Sequence, residues 1–121
     1  MKPPTFSYHV PRTLAETVQL LQRVGDDGKI LAGGQSLVPM LNMRLLAPGH
    51  LIDLNRVAEL SYVRVDGHGV TIGAMARHAA VERDDAAYAA QPLLRRALRL
   101  VAHPVIRNRG TTVGSLAHAD P

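Results

Sequence analysis

The run Lys29-Ile-Leu-Ala-Gly-Gly-Gln-Ser36 restricts this chain more than any other feature. Apolar residues stop at a double glycine, and a hydroxyl residue able to cap a helix follows almost at once. The run reads as a short buried strand, Lys29 to Leu31, turning sharply into a helix. Ser36 is the expected cap, and the helix should continue to about Arg44. Pro39 falls in its first turn, where a missing N–H costs little. Upstream, Thr13-Leu-Ala-Glu16 has the form of a capping box: the Thr13 hydroxyl takes a free amide at the helix start and Glu16 reaches back to the Thr13 amide. Leu14, Val18, Leu21 and Val24 follow at helical spacing, and Gly25 supplies a stop. Leu51-Ile-Asp53 reads as a further strand. Tyr62 to Val65 and Val70 to Ile72 alternate around Asp66-Gly-His-Gly69, a hairpin pattern. Helical pattern returns near Met75 to Arg83 and from Pro92 to about Ala102, where Leu94, Leu98 and Val101 share a face. His103 to Pro121 mixes Gly, Thr, Asn and Pro and reads as loops with one short strand at most. The order β-α-β-α-β, then hairpin, then helices, is α+β or mixed α/β.

A chain of 121 residues fits one ordinary domain and can bury a real core. Hydrophobic residues at 46% and charged residues at 20% exclude a disordered chain. The absence of cysteine excludes disulfides, thiolate zinc sites, cysteine nucleophiles and self-ligated iron–sulfur clusters. No apolar run approaches the roughly 18 residues of a membrane span. The opening MKPPTFSYHVPRT has no apolar h-region, so no secretory signal is expected and the cytoplasm is the expected compartment. None of the six histidines (9, 50, 68, 78, 103, 118) pairs with another at helical i, i+4 spacing, so no metal site is expected.

Charge is uneven. The net charge is +4, yet residues 86–119 hold Arg95, Arg96, Arg99, Arg107 and Arg109 with no acid, leaving −1 for the rest. A basic stretch points to an anionic partner, such as a phosphate-bearing ligand or an acidic protein surface. Nucleic acid is disfavoured: aromatics are 3% of the chain, so stacking platforms are scarce, and no helix-turn-helix or RNA-recognition signature is present.

Two glycine-rich segments carry candidate chemistry. In Ala32-Gly-Gly-Gln-Ser36 the glycines let backbone amides approach an anion, and a following helix start adds free N–H groups. The segment lacks both the Gly-Lys-Ser/Thr of a phosphate loop and the GxGxxG dinucleotide spacing. The second, Arg109-Gly-Thr-Thr-Val-Gly-Ser115, offers hydroxyls and successive amides that suit a phosphate. Each alone reads first as a plain tight turn or loop.

Together they carry a resemblance. AGGQSLVPMLNMRLLAP followed later by RNRGTTVGSLAHADP resembles the flavin-binding medium subunit of molybdenum hydroxylases, the family of carbon monoxide dehydrogenase and xanthine dehydrogenase. Phe6-Ser-Tyr8, Pro11, the Thr13 box, Leu51-Ile-Asp-Leu-Asn55 and Gly73-Ala74 match as well, so the resemblance covers essentially the whole chain. It implies an α+β FAD-binding fold in two subdomains, as in vanillyl-alcohol-oxidase-type flavoproteins: residues 1–55 a β-α-β subdomain, residues 56–121 the start of a second. It implies FAD as cofactor, with Ala32, Gly33, Gly34, Gln35 and Ser36 at the pyrophosphate. Thr111, Gly114 and Ser115 would wrap its other side, and Leu31, Leu37, Ala117, His118 and Asp120 would lie near the cofactor. It implies partners as well: an iron–sulfur subunit and a molybdopterin subunit in a heterotrimer that can dimerise, with NAD or a quinone as acceptor and membrane association only through the complex. The molybdenum cofactor and two-iron two-sulfur clusters would sit on those partners. No catalytic acid or base is nominated, because the redox chemistry belongs to the flavin.

There are two departures from the pattern. Val113-Gly114 stands where a double glycine is usual, and a β-branched residue resists φ > 0. Family members are also more than twice as long, so the chain reads as a fragment, His118-Ala-Asp-Pro121 looking like the middle of a motif. A truncated, cofactor-free docking module for the partner subunits is the alternative. For single residues the plainer readings are these. Met40 and Met43 fill core gaps. Arg95, Arg96 and Arg99 form a solvated helix face, with docking to an acidic patch as the sharper option. Asp53 and Asp66 end a strand and make a turn.

Overall fold

In the computed structural model, which describes Met1 to Asp120, the chain divides into two compact units, Met1–Glu59 and Leu60–Pro121. Pro121, the last residue of the second motif, lies outside the described residues.

The first unit is a three-stranded parallel sheet with two helices between its strands. Strand β1 (Ser7–His9) is followed by α1 (Leu14–Val24), β2 (Gly28–Leu31), α2 (Leu37–Asn42) and β3 (His50–Asp53). The spatial order is β1-β3-β2, so β3 is central and its neighbours are edges. Register pairs Tyr8 and Lys29 with Leu51, and Leu31 with Asp53. β3 is apolar on both faces, as a central parallel strand must be, and Ile52 is fully buried. Leu41, Leu51, Leu54 and Val57 are buried with it, as are Thr17 and Asp53.

Helix α1 starts as its capping residues dictate. Thr13 Oγ1 accepts the Glu16 amide at 3.1 Å. Glu16, however, takes the amide of Arg12 (2.7 Å) rather than that of Thr13. Gly25 ends the helix at φ +57. The apolar stripe is less covered than its spacing suggests. Thr17 is the buried residue, its hydroxyl satisfied by the Thr13 carbonyl at 2.9 Å, while Leu14 and Val18 stay 44% and 43% exposed. Strands this short span about 13 Å and cannot cover a helix about 16 Å long. For the same reason β2 is not the buried strand expected: as an edge it leaves Ile30 45% exposed. Met43 is likewise exposed, at the C-terminal end of α2, and fills no core gap.

In the second unit β4 (Val63–Asp66) and β5 (Gly69–Ile72) form the expected hairpin, with Asp66 Oδ1 accepting the His68 amide at 2.8 Å across the turn. Gly73 donates to the Tyr62 carbonyl at 2.9 Å. Five short helices follow: α3 (His78–Arg83), α4 (Asp85–Ala90), α5 (Pro92–Leu98), α6 (Pro104–Arg109) and α7 (Thr112–His118). Ala76, Val81 and Leu98 form the core, packed by Val63, Ile72, Leu94 and Val101.

Three readings change here. α3 begins at His78 rather than Met75, because Met75 is tied into a turn by the hydrogen bond its amide donates to the Leu60 carbonyl (2.9 Å). α5 stops at Leu98, with Ala102 beyond it at φ +43. The stretch 103–120 is not loop but two helices. Pro104 pre-sets the first, and Thr111 Oγ1 caps the second by accepting the Gly114 amide at 3.1 Å.

Candidate functional site

The Ala32–Ser36 segment leaves the carboxyl end of β2, directly beside Asp53 at the carboxyl end of β3. In open parallel sheets, ligands bind outside the carboxyl ends of strands. Gly34 carries the turn at φ +75, and a Cβ there would meet Val38 Cγ2 at 3.2 Å and Leu31 Cδ1 at 3.3 Å. Two side chains hold neighbouring carbonyls. Asn55 Nδ2 donates to the Ala32 carbonyl (3.0 Å), and Gln35 Nε2 donates to that of Gly33 (3.1 Å). A planar trans peptide sets its N–H opposite its C=O. Fixing these carbonyls therefore aims the Gly33 and Gly34 amides away from Asn55 and Gln35, which suits an acceptor-only group such as a diphosphate. Asn55 is oriented in turn by Asp53 Oδ1, which accepts its backbone and side-chain amides at 2.8 and 2.5 Å. Asp53 also accepts the Tyr8 hydroxyl, and that bond, with smaller help from burial and the Asp53 charge, raises the Tyr8 pKa above its usual value.

Ser36 does not cap α2 through its side chain. It sits in helical conformation (φ −101°, ψ −47°), and the helix instead begins with the Val38 amide on the Gly34 carbonyl at 3.0 Å. Ser36 is exposed, while Leu31, Ala32, Gly33, Gln35 and Leu37 are half-buried along the same segment.

The second segment is built differently from the nest its glycines suggested. Thr111 is buried as N-cap, and Thr112 to His118 are helical, so Val113 needs no positive φ and the missing glycine brings no strain. Gly114 is half-buried in the first turn. Ser115, Ala117 and His118 are exposed along α7, and Asp120 is exposed just past Ala119, which ends the helix at φ +54. Behind the segment stands His78, a residue the sequence did not single out. The residue is 3% exposed, with Nε2 3.0 Å from Ser115 Oγ and Nδ1 3.3 Å from Thr112 Oγ1. Burial, and then the Arg107 charge, lower its pKa below 6.5. Neither a metal-type spacing nor a motif could have revealed it.

The basic stretch does not form a uniform charged face. Arg95 is 14% exposed, bonded to Asp85 at 2.7 Å and stacked over Tyr88 at 4.2 Å. Arg107 is 12% exposed and bonded to Glu82 at 2.9 Å. Acids preceding residue 86 thus neutralise part of it; Arg96 on α5 and Arg99 just past its end are exposed, Arg99 lying 3.9 Å from Glu82. Elsewhere, the first unit holds an open cleft of ≈ 560 Å³ bordered by His9, Glu16, Gln19 and Arg23, to which none of the nominated residues contributes. Among the described residues no group of three or more His, Cys, Asp or Glu could hold a metal, and no helix is long and apolar enough to cross a membrane.

The sequence model of the family described as "FAD binding domain in molybdopterin dehydrogenase" matches residues 4–121. The chain belongs to this family. It is 46% identical over its whole length to the carbon monoxide dehydrogenase medium chain of Hydrogenophaga pseudoflava, covering 42% of that protein. It is 48% identical over 99% of its length to subunit alpha of the 6-hydroxypseudooxynicotine dehydrogenase complex of Paenarthrobacter nicotinovorans, covering 40% of it. Among solved structures, the Hydrogenophaga pseudoflava carbon monoxide dehydrogenase superposes with a TM-score of 0.95 at 47% identity, over 100% of this chain and 42% of that one. Quinoline 2-oxidoreductase from Pseudomonas putida 86 gives 0.94 at 44% identity, over 99% of this chain and 42% of that one. The family-type α+β fold expected from the motifs is therefore present, and the chain spans about two-fifths of the length of these relatives.

Proposed function

We propose that this chain binds FAD as part of the electron-transferring flavin subunit of a molybdenum hydroxylase, which takes electrons from iron–sulfur clusters and delivers them to NAD or a quinone. The observation that carries the reading is the family match over residues 4–121. In this reading residues 1–55 are the first FAD-binding subdomain and residues 56–121 the start of the second. The iron–sulfur and molybdopterin subunits of a cytoplasmic complex are the partners.

Bound FAD would supply the two-electron to one-electron exchange, and the residues here position it. Support for Ala32 to Ser36 as the diphosphate segment comes from Gly34 at φ +75 and from the two carbonyls pinned by Asn55 and Gln35. Thr111, Gly114 and Ser115 are assigned to the cofactor from the second unit, with Leu31, Leu37, Ala117, His118 and Asp120 near it. The chemistry of this set fits: amides and hydroxyls predominate, and Asp120 is its one carboxylate.

Titrating the chain with FAD and following flavin fluorescence tests the reading, with saturable binding at micromolar concentration or below expected. Gly33→Val should abolish it, because a branched side chain takes the diphosphate's place. A variant that binds as tightly as the parent would remove the first segment from the site. No binding by a chain that circular dichroism shows to be folded would favour the cofactor-free docking module.

A further inference from the structure

His78 opens α3 from the interior, and its backbone amide and both ring nitrogens are tied to the segment 109–115. Its backbone amide donates to the Gly110 carbonyl at 2.9 Å. The preceding Arg77 donates from Nη1 to the Arg109 carbonyl at 2.5 Å and forms a backbone bridge with Thr111. Gly110 has an ordinary φ of −59°, yet a Cβ on it would stand 2.9 Å from the ring, so its missing side chain makes room for the imidazole. The ring then lies between two hydroxyls, Ser115 on Nε2 and Thr112 on Nδ1.

A neutral imidazole has one N–H and one bare nitrogen, so the two hydroxyls cannot play the same part. If Nδ1 carries the proton, Nε2 accepts from Ser115. The only Ser115 proton is then spent inward, and its oxygen shows lone pairs to any ligand. If Nε2 carries the proton, Ser115 accepts from the ring and its own proton is free to donate outward. Thr112 then satisfies Nδ1. Ser115 is exposed and Thr112 is not, so Ser115 is the hydroxyl able to meet a ligand. A diphosphate only accepts hydrogen bonds and selects the second arrangement.

We infer that His78 is a positioning residue: protonated on Nε2, it commits the Ser115 hydroxyl to donate to a phosphate-bearing ligand. The inference rests on the reading that Ser115 faces FAD. The neutral ring it needs is favoured by burial. Of the charged groups on the elements packed about it, Arg107 on α6 opposes a second positive charge. Arg95 on α5 is engaged by Asp85, Glu82 on α3 by Arg107, and α7 carries only His118.

Nitrogen-15 NMR of the histidine-labelled chain, saturated with FAD at pH 7, reads the tautomer directly. A proton on Nε2 and a bare Nδ1 are expected. Fluorescence titration of two variants supplies the second readout. Gln places an amide where Nε2 stands and Asn where Nδ1 stands. His78→Gln should keep FAD affinity within about threefold, and His78→Asn should lose about tenfold, the worth of one bond to a charged acceptor. Equal losses in the two variants, or a proton on Nδ1 in the FAD-bound parent, would overturn the His78 assignment while leaving FAD binding intact. A folded parent that does not bind FAD would overturn the inference together with the reading beneath it.

Discussion

Gly73→Ala should cost the second unit about 2–4 kcal/mol, although alanine would suit the backbone there. Gly73 lies outside the left-handed region, so no dihedral strain arises, and only space forbids the change. The new Cβ would stand 2.3 Å from the Leu60 carbonyl oxygen and 2.8 Å from Tyr62 Cδ1. The Tyr62 ring is at the surface and can swing away. The Leu60 oxygen cannot, because it accepts the Met75 amide at 2.9 Å, and moving it by the required ~0.7 Å pulls that bond apart. An unpaired buried amide costs about 1–3 kcal/mol, and overpacking adds about as much. For a unit of this size, at about 4–8 °C per kcal/mol, the melting temperature should fall by roughly 8–30 °C. Urea unfolding followed by circular dichroism measures the loss as a shift of midpoint at constant slope. Gly67→Ala is the control: its Cβ would meet nothing within 4 Å, and the change should stay within about 0.5 kcal/mol. A loss below about 1 kcal/mol for Gly73→Ala would refute the claim that the Leu60 carbonyl is fixed.

Two further outcomes follow from ionisable groups. The His78 pKa is lower in the folded chain than its usual 6.5, so the unfolded chain binds the extra proton first; stability should be full above that value and decline as pH falls below it. Urea midpoints at pH 7.5 and pH 5 should separate in the parent and draw together in His78→Gln. Arg107→Ala should cost about 2–3 kcal/mol in the same assay, since it leaves the mostly buried Glu82 with only the long Arg99 pair (3.9 Å) and frees the Val101 carbonyl (2.9 Å). Arg99→Ala, which breaks only an exposed 3.9 Å pair, should be near neutral.

Local signals made the first unit legible. A capping threonine, a stop glycine and a double glycine each act within a few residues, as do Asp66 and Gly69, at φ +135, in the hairpin turn of the second unit. What the sequence concealed depends on distant partners. α7 carries a glycine and β-branched residues that argue against a helix, and contacts to Ala76, Arg77 and His78 override that propensity. α4 is the exception, its cap being local: Asp84 accepts the Ala87 amide at 2.8 Å. The candidate glycines were visible, whereas Asn55 and His78, which orient the peptide groups and hydroxyls around them, became visible only once the chain had folded.

The β1-β3-β2 order leaves the sheet open on both sides. Among the described residues β1 and β2 each pair with β3 alone, so each offers an edge on which another chain can build, and Ile30 adds an exposed apolar side chain to one of them. Lys29 and strands of only three or four residues limit that risk without removing it. Concentrated preparations should therefore favour intermolecular strand addition over disordered collapse, and a ligand or strand that caps the β2 edge would act as a solubiliser.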